Sequence, residues 1–144
     1  MTGRHPVLLT VVVPAYNAQD YLARALDPLR DAHGVEVLVI DDGSQDATAQ
    51  IADAYAQAHP HRYRVIHQAN AGHGGAINAG IAAARGTYLK VLDADDWLDG
   101  DALAATLDLL TELDRSGGDD ALFTDYVHER LGKSTKAMKF GSVF

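Results

Sequence analysis

The sequence predicts an α/β protein with a mostly parallel, open sheet and helices on both faces. Short apolar, β-branched segments at 8–13, 35–40, 63–67 and 87–92 alternate with segments in which apolar residues recur every three or four positions. Glycine, proline or acidic residues separate most of these segments. An alternation of this kind is built from right-handed crossovers, which place successive strands side by side and parallel.

The first two helical segments follow the first two strands. We expect Asn17 or Asp20 to cap the first helix and Ser44 or Asp46 to cap the second. Pro28 should kink or shorten the first helix, because proline lacks a backbone N–H and clashes with the preceding turn. The expected apolar stripes are Leu22, Ala25, Leu26 and Leu29 in the first helix and Ile51, Ala54, Tyr55 and Ala58 in the second.

Two further helices and a less regular C-terminal region complete the chain. The third helix should end at Gly86, and the fourth should run from Asp101 to about Arg115. A fifth strand is expected at 121–124, and another strand could start within 126–131. We interpret residues 1–131 as one domain and residues 132–144 as a tail or as the start of a further segment. The expected inward residues are Ile77, Gly80, Ile81 and Ala84 in the third helix and Leu103, Leu107 and Leu110 in the fourth.

Composition excludes several classes of function. The chain has 144 residues, a net charge of −8 and no cysteine. The charge and the lack of a Lys/Arg block argue against binding to duplex nucleic acid. Without cysteine there is no disulfide, thiolate zinc site or cysteine nucleophile, which fits a cytoplasmic, reducing compartment. No stretch approaches the roughly 18 apolar residues that a membrane span needs, and the apolar run at 7–13 is better explained as a buried strand than as a signal peptide.

The unusual residues of the sequence all follow predicted strands. In an open parallel sheet, ligands bind beyond the carboxyl ends of the strands. We therefore expect these residues to meet at one edge of the sheet. They are Pro14-Ala15-Tyr16-Asn17, Asp41-Asp42-Gly43-Ser44, the glycine-rich loop 72–75, and Asp93-Ala94-Asp95.

The fourth strand ends in three carboxylates among four residues, at 93–96. If the backbone stays extended there, Asp93 and Asp95 project to the same side. Carboxylates held close together repel each other unless a cation, a proton or hydrogen-bond donors lie between them. Hard oxygen ligands of this kind suit Mg²⁺ or Mn²⁺ that carries phosphates. The alternative is a polar strand end that simply turns into solvent.

The other polar elements each allow two interpretations. Asp42 could accept from a base N–H or a ribose hydroxyl, whereas the alternative is that this segment only caps a helix, through Ser44 and Asp46. The glycine-rich loop opens a helix, so its N–H groups and dipole could face an anion, and Gly74 lets a backbone come close to it. The loop lacks both the dinucleotide fingerprint and the P-loop lysine. Tyr16 could stack on a base or cover the first strand.

Four segments together resemble the family 2 glycosyltransferases, which have the GT-A fold. The segments lie in the family's order and spacing over about residues 7–125. They are Val11-Val12-Val13-Pro14-Ala15-Tyr16-Asn17, Val39-Ile40-Asp41-Asp42-Gly43-Ser44, Asn70-Ala71-Gly72 through Asn78-Ala79-Gly80, and Leu92-Asp93-Ala94-Asp95-Asp96.

The resemblance implies roles for individual residues. Asp93-Ala94-Asp95 would be the DxD motif, in which Asp93 lies toward the ribose and Asp95 binds the Mn²⁺ or Mg²⁺ that bridges the diphosphate. Asp96 would support this pair. Asp42 would hydrogen-bond the base, commonly uracil in this family. The strand end at Pro14, Ala15 and Tyr16 would lie against the nucleoside.

The resemblance also implies an activity: inverting transfer of a sugar from a UDP-sugar to a hydroxyl of a sugar, lipid-linked or polysaccharide acceptor. The family's usual catalytic base lies on a later segment, so the catalytic residue is not identified and this chain is expected to be the donor-binding part, truncated before the acceptor site. Such proteins often act at the inner face of the cell membrane. The alternatives are a non-catalytic sugar-nucleotide-binding module and a sugar-nucleotide nucleotidyltransferase.

Overall fold

The computed structural model describes residues 7–117, 126–128 and 136–138. The chain divides into two compact units, Met1–Thr111 and Glu112–Phe144. The first unit contains a four-stranded sheet in the order β3-β2-β1-β4, with every pair of neighbours parallel. Its strands are β1 (Leu9–Ala15), β2 (Val35–Asp42), β3 (Tyr63–Gln68) and β4 (Tyr88–Val91). The predicted α/β class with a parallel sheet is confirmed.

Helices connect the strands as the alternation predicted. They are α1 (Leu22–Leu26), which continues into a 3₁₀ turn (Asp27–Leu29), α2 (Thr48–Ala58), α3 (Gly72–Ala83) and α4 (Gly100–Ser116). In the second unit, β5 (Tyr126–His128) and β6 (Lys136–Met138) form an antiparallel pair. No helix among the described residues is long and apolar enough to cross a membrane.

The sheet is covered on both faces. On one face Val12, Leu38 and Ile40 pack with Ala76 of α3. Because side chains alternate along a strand, Tyr63 of β3 lies on the other face, where its hydroxyl donates to the Leu26 carbonyl oxygen at 2.7 Å. The Tyr63 ring also packs edge-on against Tyr55 of α2, with ring centroids 5.2 Å apart. Helices α1 and α2 therefore cover the face opposite α3.

The buried face of α3 differs from the predicted stripe. Gly80 is buried as expected, but Ile81 is 52% exposed and Ala76 takes the inward position. A Cβ atom at Gly80 would lie 2.3 Å from Cγ1 of Val12. The helix thus approaches β1 so closely that only small side chains fit between them, and the larger Ile81 turns outward.

The helix starts also correct the sequence prediction. Helix α1 has Tyr21 as its N-cap, with no side-chain cap, so neither Asn17 nor Asp20 caps it. The N-cap of α2 is Ala47, with no side-chain cap, so neither Ser44 nor Asp46 takes that position. Asp46 lies just before it and its carboxylate accepts from the Thr48 N–H at 2.9 Å, whereas the Ser44 hydroxyl accepts from the Asn17 N–H. The expected effect of proline is confirmed, because the α-helical part of this segment ends just before the 3₁₀ turn that contains Pro28.

Helix α4 agrees with the sequence prediction, and its three expected leucines are buried. The strand predicted at 121–124 lies outside the described residues. The strand β5 lies within 126–131, and β6 lies in the segment 132–144 that we interpreted as a tail or a segment start. The domain boundary at residue 131 stays a prediction.

Candidate functional site

An acidic turn follows β4. The strand ends at Val91, and the Asp96 N–H donates to the Asp93 carbonyl oxygen at 2.9 Å, so residues 93–96 form a turn and not an extended strand end. We call residues 93–96 the acidic turn. One carboxylate oxygen from each of Asp93, Asp95 and Asp96 lies within 4.8 Å of the others. The carboxylates meet as predicted, but the turn brings them together, and it adds Asp96 to the pair.

The charge of this cluster is poorly compensated. Burial, followed by the charges of Asp95 and Asp93, raises the pKa of Asp96, and the charges of Lys90 and Arg24 only partly oppose this. Among the described residues, the side chain within ion-pair distance of the cluster is His73, whose Nε2 lies 3.6 Å from Oδ1 of Asp93. Three exposed carboxylates with hard oxygen donors are therefore available to a cation, and this donor set suits Mg²⁺ or Mn²⁺.

The glycine-rich helix start lies beside the acidic turn and is anchored by Asp42. Oδ1 of Asp42 accepts from the Ala71 N–H at 2.8 Å, and Oδ2 accepts from the Gly72 N–H at 3.0 Å. Nε2 of Gln68 also donates to Oδ1, at 2.9 Å. The hydrogen bond from Gln68 and then that from Ala71 lower the pKa of Asp42. Asp42 thus fixes the entry of α3 to the end of β2.

These hydrogen bonds limit what the Asp42 carboxylate can still bind. Asp42 is only 3% exposed, and its Oδ1 already accepts two hydrogen bonds. A carboxylate oxygen offers about two acceptor positions, so Oδ2, with a single donor from Gly72, keeps one of them. The predicted contact to a nucleoside base stays a prediction, and it would use that one remaining position. The sequence did not reveal the anchoring of α3, because the partners lie about 30 residues away along the chain.

The first turn of α3 keeps free donors. The first N–H groups of a helix have no intrahelical acceptor. The Asp42 carboxylate accepts from the Gly72 N–H, and the N–H groups of His73 and Gly74 are the next two at the helix start. A Cβ atom added to Gly74 would meet no atom within 4 Å, so no protein contact requires glycine at this position. Gly75 differs, since its Cβ would lie 2.7 Å from that of Ala71. The space above Gly74 is open to a ligand.

The end of β1 contributes one buried and one exposed part. Pro14 and Ala15 are buried within the strand, and Ala15 is the register partner of Asp41. Tyr16 is exposed, so its ring does not cover β1. Asn17 adopts φ +48°, and its Oδ1 accepts from the Gln45 N–H at 2.8 Å. The loops after β1 and β2 are therefore tied together at the same edge as the acidic turn.

Arg24 and His67 were missed by the sequence interpretation. Nη2 of Arg24 donates to the Asp95 carbonyl oxygen at 3.1 Å, and its guanidinium lies 4.3 Å from the centroid of the Trp97 ring. His67 hydrogen-bonds Asp41 through Nδ1 and Asp53 through Nε2, both at 2.8 Å. The hydrogen bonds to Asp41 and then Asp53 raise the pKa of His67. Both contacts join residues far apart in sequence, so no local pattern announces them.

A cavity of about 300 Å³ lies elsewhere, at the C-terminal end of α2. Arg30, His59, His61 and Arg62 line it, and it contains no carboxylate. Because Nε of Arg62 donates to the Arg30 carbonyl oxygen and Nη1 donates to that of Val35, this arginine is already engaged in holding the fold. The structure thus gives no reason to place a site that needs carboxylate ligands in this cavity.

The comparisons with known proteins agree with the geometry. The family model described as "Glycosyl transferase family 2" matches residues 10–138. The putative glycosyltransferase EpsH of Bacillus subtilis (strain 168) is 39% identical over 95 residues, which cover 65% of this chain and 27% of EpsH. The crystal structure of S. aureus TarS 1-349 in complex with UDP-GlcNAc superposes with a TM-score of 0.65 at 29% identity, over 73% of this chain and 31% of that one.

A second solved structure extends the likeness. The mannosyltransferase PcManGT from Pyrobaculum calidifontis, in complex with GDP-Man and Mn²⁺, has a TM-score of 0.60 at 30% identity, over 69% of this chain and 30% of that one. The fold and the site define a glycosyltransferase of GT-A type. The chain belongs to glycosyl transferase family 2. Its matched part spans between a quarter and a third of the length of these relatives.

Proposed function

We propose that this chain binds the nucleoside diphosphate part of a UDP-sugar together with Mn²⁺ or Mg²⁺, as the donor site for inverting transfer of the sugar to an acceptor hydroxyl. The observation that carries the proposal is the acidic turn, where three exposed carboxylates converge and no Lys or Arg of the described residues forms an ion pair with them. Such a cluster is least repulsive when a divalent cation lies within it. Two similar structures, one in complex with UDP-GlcNAc and one with GDP-Man and Mn²⁺, support the same ligand class.

The residues around the turn then take separate roles. Asp95 and Asp93 hold the cation, Asp93 also faces the ribose, and Asp96 supports the pair. The free N–H groups at the start of α3, including that of Gly74, suit the diphosphate, because a helix N-terminus stabilises anions. When bound, the cation would stabilise the negative charge that develops on the departing diphosphate.

The nucleoside would lie along the ends of β1 and β2. Pro14, Ala15 and Tyr16 form one wall, and the exposed Tyr16 ring is available for stacking. The single acceptor position left on Oδ2 of Asp42 suits a base with one N–H, such as uracil. Guanine presents two adjacent N–H donors and would need two free acceptors, so the site should prefer UDP to GDP.

We propose that donor binding is the contribution of this chain to transfer. None of the described residues is assigned as the base that deprotonates the acceptor, and such a base is required for inverting transfer. By itself the chain should bind nucleotide and transfer little sugar. Efficient sugar transfer by this chain alone would contradict that part of the proposal.

A thermal-shift experiment tests the donor site. We expect UDP with Mn²⁺ to stabilise the chain by about 2.7 kcal/mol at a ligand concentration of about 100 times Kd. GDP, dTDP and NAD are tested separately for comparison, each with and without Mn²⁺. The variant Asp95→Ala should lose the metal-dependent shift. The exposed Asp108 of α4 offers a matched control, and Asp108→Ala should keep the shift. Stabilisation by NAD without metal, or an unchanged shift in Asp95→Ala, would overturn the proposal.

A further inference from the structure

Arg24 of α1 makes an unusual set of contacts with the segment that carries the carboxylates. Its Nη2 donates to the backbone carbonyl oxygen of Asp95 at 3.1 Å. The guanidinium carbon lies 4.3 Å from the centroid of the Trp97 ring and 5.9 Å from that of Tyr21. One side chain therefore joins α1 to the acidic turn across 71 residues of sequence.

The acidic turn needs such a restraint. Three carboxylates within 4.8 Å of one another repel, and the repulsion favours an opened turn. At its start the segment is tied to the sheet, because the Leu92 N–H donates to the Val12 carbonyl oxygen at 2.9 Å. Within the turn, the Asp96 N–H donates to Asp93. Arg24 supplies the attachment on the far side, at Asp95 and Trp97.

The way in which Arg24 makes this attachment matters for a cation. An arginine that paired with the carboxylates would occupy the oxygens that a cation requires. Arg24 instead donates to the backbone carbonyl of Asp95 and stacks on an aromatic ring. No ion pair between Arg24 and an acidic side chain is found in the described part of the chain. The carboxylate oxygens of the turn stay available while its backbone is held in place.

We propose that Arg24 is a positioning residue of the cation site, which holds the acidic turn in the conformation that brings its three carboxylates together. The inference rests on the proposed function, because it concerns the same cation. Residues that orient metal ligands from behind contribute strongly to affinity, and their loss typically weakens metal binding about 10- to 100-fold. Arg24 holds the backbone of the turn and leaves its carboxylates free, so the loss of Arg24 should weaken metal binding by letting the carboxylates move apart.

The test measures the dissociation constant of Mn²⁺ by isothermal titration calorimetry, at saturating UDP, for the wild-type chain and three variants. Arg24→Ala should bind Mn²⁺ at least about tenfold more weakly. Arg24→Lys should recover part of the affinity, because an ammonium reaches the carbonyl but lacks the planar group that stacks on Trp97. Arg30→Ala is the matched control, since Arg30 is another exposed arginine and pairs with Asp27. It should bind Mn²⁺ like the wild type.

Two further readouts separate positioning from general stability. A role in folding alone would lower the melting temperature of Arg24→Ala and leave its Mn²⁺ affinity unchanged, which would overturn the inference. Trp97 is the single tryptophan of the chain, so its fluorescence reports directly on this segment. It should respond to Mn²⁺ in the wild type and less in Arg24→Ala at equal concentration. If the wild-type chain binds no Mn²⁺ with UDP, the proposed function fails as well. Equal affinities in wild type and Arg24→Ala overturn the Arg24 inference alone.

Discussion

Two groups of carboxylates at opposite ends of the parallel sheet lie in opposite environments. At the amino ends of the strands, Glu36 is buried and both of its carboxylate oxygens accept hydrogen bonds. Its Oε2 accepts from the Thr10 hydroxyl and from the Arg85 N–H, both at 2.6 Å, and its Oε1 lies 2.9 Å from Nη2 of Arg64. At the carboxyl ends, the acidic turn exposes three carboxylates to solvent, and among the described residues the side chain within ion-pair distance of them is His73, at 3.6 Å.

Under the proposed function, the same functional group would serve stability at one end and binding at the other. Burial alone would raise the pKa of Glu36, but the hydrogen bonds from Thr10, Arg85 and Arg64 outweigh it and the pKa is lowered. The opposite shift at Asp96 follows from burial and from its two acidic neighbours. A buried carboxylate that accepts hydrogen bonds from protein groups stabilises the fold. A carboxylate that is repelled by neighbouring carboxylates is stabilised most by binding a cation from solution.

The largest expected effect on stability comes from removing the buried, hydrogen-bonded carboxylate of Glu36. Glu36→Ala leaves the Arg64 charge and the donors of Thr10 and Arg85 without their acceptor, and should lower the free energy of unfolding by about 3 kcal/mol. Urea unfolding followed by circular dichroism measures this change. The control is Glu112→Ala, at an exposed position of α4, which should stay within about 0.5 kcal/mol of wild type. A similar small change in both variants would remove the contrast between the two ends.

At the other end of the sheet, removing a charge should leave stability intact. Asp96→Asn relieves the repulsion with Asp93 and Asp95, so the free energy of unfolding should stay equal or rise by up to about 0.5 kcal/mol. Mn²⁺ binding in the presence of UDP should weaken. Asp99→Asn is a useful control, because Asp99 accepts from the Ala102 N–H at 2.9 Å at the start of α4.

The two variants should therefore differ in opposite ways: Asp96→Asn should lower Mn²⁺ affinity but not stability, and Asp99→Asn should lower stability but not Mn²⁺ affinity. Asp99→Asn keeps a capping side chain but removes the negative charge that the helix dipole favours, and should cost up to about 1 kcal/mol, with Mn²⁺ affinity unchanged. Loss of more than about 1 kcal/mol in Asp96→Asn would contradict the view that the acidic turn is kept for binding at the expense of stability.

Local sequence patterns predicted the parts of the molecule that depend on local physics. The β-branched runs gave the four parallel strands, and the rule for open sheets placed the acidic turn, the glycine-rich loop and Asp42 at one edge. The effect of Pro28 also followed from its missing N–H. These features depend on neighbours in sequence or on the sheet topology that the alternation implies.

The features that were missed depend on tertiary distances. The outward position of Ile81 follows from how closely α3 approaches Val12, which no periodicity encodes. The contact between Arg24 and Asp95 spans 71 residues, and the anchoring of Gly72 by Asp42 spans 30. The extended geometry expected for Asp93 and Asp95 was wrong because the strand ends at Val91 and the chain turns at once.

The smallest expected effect divides the carboxyl end itself. There His67 links two carboxylates, Asp41 at 2.8 Å and Asp53 at 2.8 Å, so the side next to β3 is compensated and the side next to β4 is not. These hydrogen bonds raise the pKa of His67 in the folded chain. A raised pKa means that the folded state binds the proton more tightly, so the stabilisation is fully present below the unfolded pKa of about 6.5. It is lost as the pH rises through the folded pKa.

We therefore expect the stability difference between wild type and His67→Gln to be largest near pH 5.5 and to shrink as the pH rises past the folded pKa. Because the His67 side chain is 45% exposed, solvent screening keeps the pH-dependent part below about 1 kcal/mol. Urea unfolding at a series of pH values measures it. His61→Gln is the control, since His61 has no ion pair among the described residues, and its difference from wild type should not follow this profile. A difference for His67→Gln that grows with pH would mean that the histidine acts here as a neutral ring, and that the carboxyl end is uncompensated on both sides.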